Sequence, residues 1–174
     1  MKNLLFLILI CLNTSVFAQH TEYLDFTWQS EEDWSVAFEE EDDKMLILQY
    51  IPKGQTLETW REIGTIQMIK MAEIRQFTPY EMMEIMYKQG LQQAPEAKLT
   101  FITKNDSTEY PWIQFKIEAP KLKDIPQAES QLYHLIQGKE TLFVVIWGIR
   151  RWEIYTEEES KWREIFSKAT VGTD

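Results

Sequence analysis

Cysteine, histidine, glycine and positive charge are all scarce in this chain of 174 residues, and each shortage excludes a chemistry. The one cysteine is Cys11. A single thiol forms no internal disulfide, no iron–sulfur cluster and no cysteine-based zinc site. The two histidines, His20 and His134, lie far apart, and no H-x-H, H-x-x-x-H or H-E-x-x-H spacing occurs. The six glycines are Gly54, Gly64, Gly90, Gly138, Gly148 and Gly172, too dispersed for a Walker loop or a dinucleotide fingerprint. No serine stands between glycines, so there is no nucleophile elbow. Lys and Arg number 18 against 28 Asp and Glu, for a net charge of −10. Such an acidic surface repels nucleic-acid phosphates and anionic lipid, so nucleic acid is not an expected partner.

The longest apolar run is Leu4 to Leu12. That run follows Lys2 and precedes Val16-Phe17-Ala18, which sets small residues at the −3 and −1 positions of a cleavage site. The layout is that of a secretory signal peptide, and the run is too short for a stable membrane anchor. The expectation is a signal segment over 1–18 and one exported domain over 19–174, periplasmic or extracellular. Cys11 falls inside the segment to be removed, which leaves the mature chain without cysteine. Ile10 before it does not suit a lipoprotein cleavage site, which needs a small residue there.

What is present is a globular composition, 44% hydrophobic, with seven Trp, seven Tyr and nine Phe. Alternating apolar residues predict strands over 23–28 and 34–39 as a first hairpin, then 45–51 as a strand apolar on both faces. A helical turn over 55–61 and a strand over 63–70 follow. Thr78, Pro79 and Glu81 form the start signal of a helix with a buried stripe through Met83, Met86, Tyr87, Gly90, Leu91 and Ala94. Met82 and Ile85 lie beside that stripe and are read as widening it. Pro95 stops this helix. Two more hairpins are predicted, 98–104 with 111–118 and 131–137 with 141–149, the last strand being the sheet centre. Leu99, Phe101 and Thr103 are read as sharing one face. A final helix over 157–169 is read with Thr156 and Glu159 as its capping box and Trp162, Ile165 and Phe166 as its buried face.

These elements predict an α+β domain: a twisted antiparallel sheet of six to seven strands covered by two main helices. The strand–helix–meander–helix order, with Pro52-Lys53-Gly54-Gln55-Thr56, Trp60 and Thr65-Ile66-Gln67, resembles the small α/β/α sandwiches of the PsbP and Mog1 kind, including exported DcrB-like bacterial proteins. The resemblance implies a PsbP/Mog1-like sandwich acting as a binding or accessory protein, and it transfers no site residues.

No catalytic, cofactor or metal residues are assigned. His134 shares a strand face with Leu132 and Ile136 and is read as a core residue rather than a general base. Glu39-Glu40-Glu41-Asp42-Asp43 lacks the alternating spacing and glycine of a calcium loop and is read as a solvated hairpin tip. Asn105-Asp106-Ser107 matches a glycosylation sequon and reads as a turn. Two local features point to a partner surface. Arg150-Arg151-Trp152 is a paired arginine beside an aromatic, suited to an anionic or planar group, with pairing to Glu157 or Glu158 as the competing reading. Trp60-Arg61 is the second, with Trp60 plugging a sheet edge or lining a groove. The expected function is a non-enzymatic binding module for a protein or a small anionic or apolar ligand. The alternative is a hydrolase using carboxylates alone, such as a glycosidase.

Overall fold

Seven strands build the main sheet in the order β2-β3-β4-β8-β7-β6-β5, every neighbouring pair antiparallel. They are β2 (Trp34–Glu41), β3 (Met45–Pro52), β4 (Glu62–Lys70), β5 (Lys98–Asn105), β6 (Trp112–Ala119), β7 (Glu129–Gln137) and β8 (Thr141–Ile149). Two helices, α1 (Pro79–Gln93) and α2 (Thr156–Phe166), and two short strands, β1 (Glu22–Asp25) and β9 (Thr170–Thr173), complete the chain. The structure is a computed structural model and describes residues 22–28, 33–70, 77–123 and 127–174. The expected signal segment 1–18, with Cys11, lies outside the described residues, as does His20.

The expected α+β class is overturned. The protein is mostly β: 48% of its described residues are in strands and 19% in helices, with nine strands in two antiparallel sheets. The expectation of a single sheet covered by two helices failed at the chain ends. Glu22–Asp25 does not form a hairpin with β2 but pairs with β9, through Glu22↔Thr173 to Asp25↔Thr170. The last helix stops at Phe166 rather than running to residue 169, because the chain turns into β9 at Thr170. This second, two-stranded sheet carries Leu24 and Phe26 onto the face that α2 also covers.

β8 lies at the middle of the seven strands, as its apolar run demands, and Leu142, Phe143, Val144, Val145 and Trp147 are all buried. Both faces are apolar because both are covered. On one face α1 packs Met83 over Ile113, Phe115, Leu135 and Val144. On the other, Trp162 and Phe166 of α2 meet Trp28, Trp34 and Trp147, with Trp162 ring centroids 5.2 Å from both Trp28 and Trp147.

Local signals explain the helix ends unevenly. α1 starts with the expected capping box: Glu81 N donates to Thr78 Oγ1 at 3.2 Å, and Thr78 N donates to Glu81 Oε2 at 2.8 Å. α2 starts one residue earlier than expected, with Tyr155 at the cap and its N–H donating to Glu158 Oε2 at 3.2 Å. The 98–104 reading also needs correction. A bulge between Phe101 and Thr103 breaks the alternation, so Leu99 packs on the α1 side, Ile102 on the α2 side, and Phe101 is left exposed. β3 is one strand in from the sheet edge rather than central, and six of its first seven residues are only half-buried.

Candidate functional site

Alternation along β7 sends Glu129, Gln131 and Tyr133 to the α1 face of the sheet and Leu132 and His134 to the other. The three polar side chains form a ladder up one wall. Tyr133 Oη donates to Gln131 Oε1, and Gln131 Nε2 donates to Glu129 Oε1 at 2.5 Å. The ladder borders a cavity of about 350 Å³ between α1 and the sheet, closed by Gly90, Ala97, Ile117 and Leu122. A second cavity of about 330 Å³ adjoins it over β4 and β8 and shares Gly90, Gln131 and Tyr133. Together they make one groove beside α1, in the size range of small-molecule sites.

The groove exists because three positions lack bulk. A side chain at Gly90, in the middle of α1, would meet nothing within 4 Å, so the helix is bare where it passes the ladder. Ala94 and Ala97 keep the rest of that wall short.

Burial sets the electrostatics. It raises the Glu129 carboxyl above its usual pKa, while Gln131 and the positive Arg150 pull the other way. Tyr133 is pushed well up, first by burial and then by the negative Glu129, and keeps its proton. Among the described residues, Glu129 is the one carboxylate lining either cavity.

The five residues singled out in the sequence are divided between two places. Trp60 is buried with Ile51 and Ile63, as an edge plug. Arg150 lies against it, guanidinium carbon 4.3 Å from the ring centroid, and its Nη1 donates to the Glu58 carbonyl at 2.7 Å. Arg61 is exposed, and its N–H donates to Gln55 Oε1 at 2.6 Å. Arg151 turns to the opposite side. It stacks on Tyr155 at 3.9 Å, donates Nε to the Glu153 carbonyl at 2.7 Å and pairs with Glu158. Trp152 is 57% exposed. The paired arginines therefore do not converge on one anion site; each is held by its own ring and its own acceptors.

His134 sits in the α2-side core, 5.4 Å from Trp112 and 6.1 Å from Phe166 between ring centroids, and its Nδ1 has no hydrogen-bond partner among the described residues. Among those residues no group of three or more His, Cys, Asp or Glu is placed to hold a metal ion, and no helix is long and apolar enough to cross a membrane.

Sequence reasoning missed Glu129, Gln131, Tyr133 and Gly90 as a set. The available signal was three polar residues at alternate positions of a strand, Glu129, Gln131 and Tyr133, beside the apolar run of β8, and a glycine inside a helix. No family model matches the chain, and no curated protein matches it.

Proposed function

We propose that the protein is an exported binding module without catalytic activity, and that its ligand lies in the groove between α1 and the sheet. The observation that carries this reading is the polar ladder Tyr133-Gln131-Glu129 set in an apolar wall, the usual composition of a small-ligand pocket. A glycosidase mechanism needs two carboxyl groups about 5–10 Å apart across the scissile bond. Among the described residues the groove offers Glu129 alone, which favours binding over hydrolysis. Export rests on the signal layout of residues 1–18.

The test is an amide NMR titration of the purified protein with n-hexanol, a probe small enough for the cavity. Shifts should cluster at Gly90, Ala97, Gln131 and Tyr133, and Gly90→Leu should remove them while the fold persists. Shifts scattered over the surface, or unchanged by Gly90→Leu, would count against the groove.

A second reading has one observation in its favour. Trp152 and Tyr155 are 57% and 54% exposed and flank Arg151, the composition of a partner-protein contact. Trp152→Ala would then abolish capture of that partner without lowering the melting temperature.

A further inference from the structure

We infer that the groove selects an apolar ligand carrying a hydrogen-bond donor, a primary ammonium or a hydroxyl, and excludes carboxylates. This deepens the binding reading above and rests on it. The argument is the direction of the ladder. A carboxylate only accepts hydrogen bonds, so the Gln131 amide must turn its N–H toward Glu129. That turns Gln131 Oε1 toward Tyr133, whose hydroxyl must then donate to it. The Tyr133 proton and one Gln131 N–H are thereby spent inside the ladder, and the chain of donors ends on an acceptor.

What the ladder itself leaves for a ligand is two acceptors, the Tyr133 oxygen and Glu129 Oε2, the latter without a hydrogen bond among the described residues, and one Gln131 N–H; the amides of Gln49, Gln89 and Gln93 line the groove further out and carry no charge. A ligand anion would bring a second negative charge beside Glu129 in a half-buried place, where burial already works against the first. An ammonium would offset that charge and form a charge-assisted bond to it. The apolar body would rest on Ala97, Ile117 and Leu122. The surrounding field agrees, since a chain of net charge −10 concentrates cations rather than anions. Arg150 does not reverse this choice: its guanidinium is stacked on Trp60 with Nη1 donating to the Glu58 carbonyl, its Nε is buried without a partner among the described residues, and it lines neither cavity.

The experiment compares n-hexylamine, n-hexanol and hexanoate, one chain length with three head groups, by NMR titration of the purified protein. Hexylamine should bind about tenfold or more tightly than hexanoate, the worth of one hydrogen bond to a charged group. Glu129→Gln keeps the acceptor for Gln131 and should erase most of that preference. Gly90→Leu should block all three. If hexanoate binds as well as hexylamine, or Glu129→Gln leaves the preference intact, the head-group inference is overturned and the groove reading stands. If none of the three probes perturbs the groove, both fall.

Discussion

His134 is an imidazole enclosed by aromatic rings, and burial lowers its pKa from 6.5 to about 4. Folding therefore favours the neutral ring. Above about pH 6.5 the unfolded chain is neutral there too, and nothing is lost. As pH falls from about 6.5 to about 4, the unfolded chain takes up a proton that the folded one refuses, and on the order of 3 kcal/mol of stability drains away. Urea unfolding across that range should show a steeper acid loss for the wild type than for His134→Phe, and equal slopes would mean the ring is not buried neutral. The arginines give a second residue-level test. Arg150→Glu with Arg151→Glu would set new negative charges near Glu129 and Glu158 and lose two stacked rings. The melting temperature should fall by several degrees, equivalent to about 1–3 kcal/mol. An unchanged melting temperature would make these side chains dispensable to the fold and return them to the partner surface.

At the level of elements, two glycines behave oppositely. A Cβ at Gly64 in β4 would lie 2.0 Å from the indole of Trp28, so Gly64 is what lets that ring lie flat on the sheet beside Tyr50. Gly64→Ala should destabilise by about 1–3 kcal/mol, as overpacking does. Gly90 has open space at the same position and sits mid-helix, so Gly90→Ala should stabilise by about 0.5–1 kcal/mol. Differential scanning calorimetry on the two variants reads the signs directly; shifts in the same direction would contradict this account of the groove wall. Both edge strands of the main sheet, β2 and β5, are bulged, between Val36 and Phe38 and between Phe101 and Thr103. β2 also ends in Glu39, Glu40 and Glu41, which discourages edge-to-edge pairing. Lys116 ties α2 to β6: burial works against its charge, but Glu118 and Glu159, each 3.2 Å away, outweigh it and raise its pKa.

For the whole molecule, one side chain of the N-terminal strand ties the small sheet to the large one. The buried Glu22 carboxylate accepts the backbone N–H groups of Lys139, Glu140 and Thr141 at 2.7, 2.9 and 3.0 Å, which fastens the small sheet to the β7–β8 turn. Glu22→Ala leaves the N–H groups of Lys139, Glu140 and Thr141 without their carboxylate acceptor and should cost about 1–3 kcal/mol, with Glu22→Gln costing less. Chemical denaturation measures both; an effect under about 0.5 kcal/mol would show that water replaces the carboxylate freely. Glu22 also lies three residues beyond Gln19, so cleavage after Ala18 leaves β1 whole. Intact mass of the secreted protein should begin at Gln19, whereas retention of residues 1–18 or an acylated Cys11 rules that out.

Much of the β-rich core was legible because local patterns are strong there. The apolar run of β8 from Leu142 to Ile149 demanded a central place, Thr78-Pro79 with Glu81 demanded a helix start, and Ile113, Phe115 and Ile117 demanded one buried face. These follow from periodicity and backbone chemistry within a few residues. The β1–β9 pairing was not legible, because Glu22 and Thr173 are 151 positions apart and four-residue strands carry little pattern. Nor was the groove. Gln131 and Tyr133 read as part of an ordinary strand, with Glu129 outside it, and only packing sets the three opposite Gly90, where a missing side chain on α1 becomes open volume. A cavity belongs to two surfaces that fail to meet, and tertiary packing alone decides which surfaces those are.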